Sequence, residues 1–266
     1  MAAQSGVYNG CIKVASDKLP THLTLSAVLT GDIIHSSGLG PRELQSVRLS
    51  LINAVGTVRG WKRGLVKGQI EFFRGDGWQL LVTHPAMAMR VGIFLRASLL
   101  AAGVADTRIA IGLGGVEKSS SQKVSLSRGP AFVLSGHALD NMTQYSSVAI
   151  EVPKSAGLLA SWLPVVGHLC SSLIEQWTRR QAELVCAVID PKRPDYETVA
   201  QTLKPAVSKQ AVAKGLRGAR WHAIHEAIDQ FEDTPWEAVL GSDTLNGCLG
   251  LDNQKRLSRA AVQTGP

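Results

Sequence analysis

The sequence predicts an α+β protein: an α/β sandwich followed by an all-α segment that contains a helix-turn-helix. Two observations lead to this prediction. Between residues 23 and 155, apolar patterns follow the order strand, helix, hairpin, helix, strand, helix, strand, which is a split βαβ pattern. From residue 178 onward the patterns are those of short helices. With 266 residues, 45% of them apolar, the chain can bury the core of one large or two medium domains.

The first part of the sandwich begins after a polar segment. Residues 1–22 are small and polar, and we expect them to form a loose leader. The apolar run Leu23–Thr30 predicts a buried strand that ends near Asp32. Pro41 can occupy the first position of a helix, and apolar residues then repeat every three to four positions. This spacing predicts an amphipathic helix over Arg42–Val58.

A β-hairpin is predicted over Gln69–Thr83, because two apolar, aromatic-rich runs flank Gly75, Asp76 and Gly77. Aspartate and glycine accept the positive φ angles that tight hairpin turns require. The turn would therefore place the carboxylate of Asp76 at the tip of two strands.

The same patterns predict the rest of the sandwich. Its remaining elements are a helix from Pro85 to Leu100, a strand over Arg108–Val116, a helix from Pro130 to Leu139 and a strand over Ser147–Val152. Residues 23–155 would then form the sandwich domain. Residues 156–177 form a long apolar helical stretch, broken at Pro164, which we interpret as a linker helix or as a dimerisation helix.

Residues 178–235 are expected to form the helix-turn-helix domain, and residues 241–266 a flexible tail. Three short helices are predicted at Arg180–Ile189, Tyr196–Leu203 and Ser208–Trp221. Ser208 is a favourable N-cap for the third helix, and its apolar residues would hold it against its neighbours.

The third helix and the turn before it are strongly basic. Lys204, Lys209, Lys214, Arg217 and Arg220 lie within 17 residues that contain no acidic residue, and so account for +5 of the net charge of +7. Such a cluster is typical of contact with a phosphate backbone. The predicted DNA-binding residues are Ser208, Lys209, Gln210, Lys214, Arg217 and Arg220. A helical bundle with a solvated basic face is the alternative.

Asp32 and Asp76 are the candidate metal ligands. Both follow apolar runs of strand type, and hard cations such as Mg²⁺ take one or two carboxylates and leave other positions for water or phosphate. Gly-Asp is also a common turn dipeptide, so turn chemistry alone is the alternative interpretation.

Composition argues against several classes of protein. No apolar run reaches the roughly 18 residues needed to span a bilayer, and the N-terminus lacks the pattern of a signal peptide. The four cysteines are scattered, with no CxxC pair, which fits neither a zinc site nor a disulfide framework. We therefore expect a cytoplasmic protein that does not interact with membranes.

Several short motifs, taken in their order, resemble the SatD family. In that family a ferredoxin-like domain similar to class III nucleotide cyclases precedes a helix-turn-helix. The matching segments are Leu29–Ser36, Phe73–Gly77, Arg108–Gly112, Gly129–Asp140, and Trp177–Glu183 leading to Ser208–Val212. The resemblance spans roughly residues 23–232 and implies a nucleotide-cyclase-like α/β sandwich. It places the cyclase metal ligands, for Mg²⁺ or Mn²⁺, on Asp32 and Asp76. The nucleotide-binding positions that it implies are Ile33, Ile34, Gly75, Gly77, Gly112 and His137.

The sequence departs from active cyclases in one helix. Where cyclases carry a ribose-orienting Asn and a phosphate-stabilising Arg, this chain offers Val133 and His137. A neutral histidine does not replace the fixed positive fork of an arginine. The expected function is therefore a DNA-binding regulator, dimeric because half-sites come in pairs, with a degenerate cyclase-like domain that senses a nucleotide or related ligand. The alternatives are a metal-dependent cyclase or phosphoryl transferase, and a structural dimerisation module.

Overall fold

A computed structural model of the chain describes residues 23–117 and 123–241. The predicted leader, and the predicted tail from residue 242 onward, lie outside the described residues. Five strands form one sheet: β1 Leu23–Ile33, β2 Val66–Phe73, β3 Gly77–Val82, β4 Thr107–Glu117 and β5 Val148–Glu151. The α-helices are α1 Pro41–Trp61, α2 Ala88–Ala102, α3 Pro130–Asp140, α4 Leu158–Ile174, α5 Arg179–Val188, α6 Tyr196–Thr202, α7 Lys209–Gly218, α8 Trp221–Asp233 and α9 Trp236–Val239.

The sheet has the strand order β2-β3-β1-β4-β5. The pairs β2–β3, β3–β1 and β1–β4 are antiparallel, and β5 runs parallel to β4. The connections β1-α1-β2 and β3-α2-β4 each enclose an inserted strand, so the predicted split βαβ arrangement is confirmed. The protein is a mixed α+β structure.

Helices cover the two faces of the sheet in different ways. Alternate residues of β1 and β4, such as Leu29 and Ile111, join α1 and α2 in the main hydrophobic core. On the opposite face, Val28 and Leu81 pack with Ala131 of α3 in a smaller cluster. A hydrogen bond of 2.8 Å between the hydroxyls of Thr30 and Ser135 also joins β1 to α3.

The C-terminal helices share the main core with the sandwich. Buried apolar residues of α5, α7 and α8 belong to the same hydrophobic cluster as the sheet. The Arg90 side chain on α2 is 1% exposed, and its guanidinium donates to both carboxylate oxygens of Glu232 on α8, at 2.6 and 2.8 Å. It also donates to the backbone carbonyl of Ile189, at 2.9 Å. These contacts bind α8 to α2.

One described segment, Pro85–Ala102, is long and apolar enough to cross a membrane by length and composition. It is 61% buried within the protein and carries the buried Arg90 and Arg96. These features are those of a core helix.

Two predicted helices differ from the structure. Helix α4 runs without interruption through Pro164, where a break was predicted. The predicted helix Ser208–Trp221 ends earlier than expected, because α7 stops at Gly218 and Arg220 adopts a left-handed backbone conformation with φ of 54°. The chain turns there and begins α8 at Trp221. Helix α8, Trp221–Asp233, was not predicted. The apolar residues of α8 are buried against the core.

The Arg90 contact gives a stability prediction. Replacement of Arg90 by Ala leaves the carboxylates of Asp229 and Glu232 without their buried partner. We expect the free energy of unfolding to fall by about 3 kcal/mol, the low end of the range for breaking a buried pair, because both carboxylates retain some contact with water. Urea denaturation measures the change.

Arg193→Ala is the matched control. Arg193 donates to the same Asp229 at 2.8 Å, but its side chain is 57% exposed. Exposed pairs contribute at most about 1 kcal/mol. Equal losses in the two variants would show that the Arg90 contact does not anchor α8.

Candidate functional site

Asp32 lies near the end of β1, directly opposite Arg108 of β4 in the antiparallel register. The Nε of Arg108 donates to Asp32 Oδ1 at 2.9 Å, and its Nη2 donates to Oδ2. One guanidinium thus occupies both oxygens of the carboxylate that was predicted to bind a metal. This partner follows from the strand register, because cross-strand neighbours on one face are in contact.

Asp76 lies in the turn between β2 and β3. The predicted hairpin is confirmed, and Gly75 has a positive φ angle of 90° as expected. The other positive φ angle of the turn, 50°, is at Arg74 and not at Asp76. The hydroxyl of Ser36 donates to Asp76 Oδ2 at 2.5 Å, and Arg48 Nη2 donates to the carbonyl of Gly75 at 2.7 Å. The turn is therefore held both from the loop after β1 and from α1.

Asp32 and Asp76 line one cavity of about 530 Å³ at this end of the sheet. The predicted residues Ile33 and Ile34 also line it. The predicted residues Gly75 and Gly77 flank Asp76 in the hairpin but are not among the residues that line the cavity. Sequence reasoning missed several lining residues: Arg96, Asp106, Arg108, Ser147 and Glu175.

The missed residues form a second ion pair in the cavity wall. The buried guanidinium of Arg96 donates to both carboxylate oxygens of Asp106, at 2.7 and 2.8 Å, and also to the hydroxyl of Ser147. The two arginines within the mostly apolar helix α2 were the available signal, since a buried cation needs a partner.

The charge of the cavity is negative. Four carboxylates line it, against the two guanidinium groups of Arg96 and Arg108. The hydrogen bond to Asp32 raises the pKa of the Arg108 guanidinium, and the charges of Asp32 and Asp76 act in the same direction, against the effect of partial burial. Arg108 is therefore a permanent cation within this acidic cavity.

The predicted Mg²⁺ or Mn²⁺ site does not fit this arrangement. Within residues 23–117 and 123–241, no group of three or more His, Cys, Asp or Glu side chains is placed to hold a metal ion. Both oxygens of Asp32 accept from Arg108, so a divalent cation there would have to displace a guanidinium of the same sign. Asp76 accepts one side-chain hydrogen bond, from Ser36 to Oδ2, whereas both oxygens of Asp32 accept from Arg108.

The other two predicted nucleotide-binding positions lie away from the cavity. A Cβ on Gly112 would lie 2.4 Å from the backbone of Ala131 and Ser135, so this glycine permits close packing of α3 on β4. The His137 side chain is 65% exposed, and its Nδ1 lies 3.0 Å from the carboxylate oxygens of Glu151 on β5. Neither residue lines the cavity that contains Asp32.

The C-terminal helices present a separate basic face, formed by α7 and the residues at its two ends. The hydroxyl of Ser208 accepts from the amide of Ala211 at 3.1 Å, so the predicted N-cap is confirmed. Val212 and Leu216 are buried, as expected. All six predicted DNA-binding residues are exposed: Ser208, Lys209, Gln210, Lys214, Arg217 and Arg220.

The cations of this face are unpaired. Among the described residues, no ion pair involves Lys204, Lys209, Lys214, Arg217 or Arg220, whereas the arginines of the core and cavity are paired. Lys209 does have an acidic neighbour: the pKa of Asp195 is lowered by hydrogen bonds from Thr198 and, to a smaller extent, by the charge of Lys209. Arg217 and Arg220 also line a cavity of about 440 Å³ between α7 and α8. The face can therefore offer several free positive charges to one anionic partner.

Comparisons with known proteins find only limited similarity. No protein-family model and no curated protein matches the sequence. Solved structures with similarity include a guanylyl cyclase, 18% identical over 50% of this chain and 76% of that chain, with a TM-score of 0.37. A bacterial light-regulated adenylyl cyclase is 13% identical over 48% of this chain and 43% of that chain, also with a TM-score of 0.37. The resemblance to the SatD family stays a prediction.

The Arg108 contact predicts how the cavity responds to divalent cations. We expect Arg108→Gln to increase the affinity for Mn²⁺ at least about tenfold, because the substitution frees Asp32 and removes a nearby positive charge. Isothermal titration calorimetry of both proteins measures the change.

Arg63→Gln removes an exposed positive charge outside the cavity and serves as the control. Tight Mn²⁺ binding by the unmodified protein, with no gain in the Arg108 variant, would contradict this interpretation of the cavity.

Proposed function

We propose that the protein is a DNA-binding regulator, in which the basic face around α7 contacts DNA and the cavity of the sandwich binds a small ligand. The observation that carries the proposal is the set of five exposed and unpaired cations around α7. They lie in a stretch without acidic residues. Such cations neutralise phosphate groups along a duplex and release the counterions bound there, which supplies a large share of the affinity for DNA.

The position of Gln210 supports sequence reading by the same helix. It is exposed in the first turn of α7, two residues after the N-cap Ser208. Recognition helices approach base edges in the major groove with their N-terminal residues, and glutamine can pair with adenine. Lys209 and Lys214 would then contact the backbone and set the position of the helix.

The proposed regulator acts as a dimer. Helix-turn-helix proteins bind paired half-sites, so two copies of α7 would be presented to one operator. A dimer doubles the number of phosphate contacts and makes binding more sensitive to salt.

The ligand proposed for the sandwich is a nucleotide or a related molecule, and the charge of the cavity restricts how it binds. The cavity carries two more carboxylates than guanidinium groups. An uncompensated triphosphate would be repelled, whereas ribose hydroxyls and base amino groups can donate to Asp76 and Glu175. We therefore propose that the nucleoside part of the ligand enters the cavity.

The DNA-binding proposal predicts the effect of a triple substitution. Changing Lys209, Lys214 and Arg217 to Glu removes three phosphate contacts and adds three repulsive charges. We expect the affinity for duplex DNA to fall at least about 100-fold at 100 mM salt, as measured by fluorescence anisotropy.

The matched control changes the exposed Arg42, Lys62 and Arg63 to Glu, which alters the net charge equally but away from α7. Its affinity should stay within about threefold of that of the unmodified protein, as a smaller, long-range effect of charge. If the two triple variants lost similar amounts of DNA affinity, the binding would result from the overall positive charge. The basic face around α7 would then not be a specific DNA-binding surface.

The ligand proposal predicts thermal stabilisation. At saturation, a nucleoside or nucleoside monophosphate should raise the Tm by at least about 3 °C without added metal. Asp76→Asn should abolish the rise, and Asp140→Asn, an exposed carboxylate on α3, should not. A rise that depends on Mg²⁺, or one that persists in the Asp76 variant, would rule out this mode of binding.

A metal-dependent cyclase or phosphoryl transferase is the second candidate function, because Asp32 and Asp76 line one cavity. Two features disfavour it: Arg108 occupies Asp32, and His137 points to Glu151 rather than into the cavity. Turnover of a nucleoside triphosphate with Mg²⁺ or Mn²⁺ that is lost in Asp32→Ala would favour the enzyme over the regulator.

A further inference from the structure

Helix α4 has two apolar faces, and only one of them is covered by the part of the chain that the structure describes. Its inner face packs on β5 through buried residues: Leu163, Gly167, Cys170, Ser171 and Ile174. Four large apolar side chains lie on the other side: Leu158, Trp162, Val165 and Leu169. They are 78%, 61%, 45% and 59% exposed, respectively.

The four exposed residues form a continuous stripe. Their spacing is four, three and four residues, which is the heptad spacing of helices that pack against one another. At about 100° per residue they fall within an arc of roughly 60°, nearly opposite the buried face. We name Leu158, Trp162, Val165 and Leu169 the outer stripe.

We propose that the outer stripe is the surface through which two copies of this chain associate. This inference builds on the dimer of the proposed function and identifies the surface through which it forms. The observations behind it come from α4 alone. Heptad spacing is self-complementary, because the side chains of one such helix fit between those of an identical helix.

The area of the stripe agrees with a dimer contact. The exposed parts of the four side chains amount to roughly 500 Å², which is in the range of the largest, often functional, apolar patch on a monomer. Neighbouring exposed residues of α4, such as Ser161 and His168, would bring the contact toward the about 800 Å² per partner of a stable interface.

The charges of α4 favour a second copy over other occupants. The helix contains no Asp, Glu, Lys or Arg between Leu158 and Ile174. Helices that lie on membranes have Lys and Arg on their polar face, and this one has none. Two copies of an uncharged stripe can meet without burying an unpaired charge.

The test compares self-association in full-length variants. Sedimentation equilibrium of the unmodified protein should show a dimer, and Trp162→Glu with Leu169→Glu should raise its dissociation constant at least about 30-fold. Leu49→Glu, which places a charge on an exposed apolar residue of α1, is the control and should leave the constant unchanged. Circular dichroism confirms that each variant is folded.

Three outcomes would overturn the inference: a monomeric unmodified protein at 100 µM, a dimer that survives the double substitution, or binding to anionic vesicles that the double substitution abolishes while the protein stays monomeric. DNA affinity is measured separately. A protein that dimerises through the stripe but does not bind DNA would refute the proposed function and leave this inference intact.

Discussion

Two buried guanidinium groups on α2 determine how the sheet, the cavity and the C-terminal helices fit together. Arg96 binds Asp106 and Ser147 in the cavity wall, and Arg90 binds Glu232 of α8 and the carbonyl of Ile189. Because a buried cation without a partner is strongly destabilising, these contacts fix their elements in place. The two arginines are six residues apart on one helix. The cavity and the C-terminal helices therefore share a single rigid element.

The cross-strand pair of Asp32 and Arg108 decides the chemistry of the cavity. A carboxylate at the end of a strand is a natural metal ligand only while its oxygens are free. Here the antiparallel register brings a guanidinium to both oxygens, so the protein itself supplies the positive charge. The remaining carboxylates, above all Asp76, make the cavity suitable for ligands that donate hydrogen bonds.

Features that depend on local sequence patterns could be predicted from the sequence. Features that depend on strand register and tertiary packing could not. The order of strands and helices in the sandwich, the hairpin at Gly75 and the Ser208 cap all follow from periodicity and turn chemistry, and the structure confirms them. The pairing of Asp32 with Arg108 depends on a strand register set across 76 residues of chain, and no local signal reveals it. Continuation of α4 through Pro164 and the left-handed Arg220 depend on tertiary packing, which overrides local propensity. Gly112 looked like a site for ligand approach, but a neighbouring helix fills that space.

The central claim is that the free cations around α7 bind the DNA backbone. The salt dependence of DNA binding by the unmodified protein tests it most directly. If three to five phosphates are neutralised per chain, the logarithm of the association constant should fall with the logarithm of salt concentration with a slope of about −2.7 to −4.5 per chain. A slope near zero, or no measurable binding to duplex DNA at 50 mM salt, would contradict the claim.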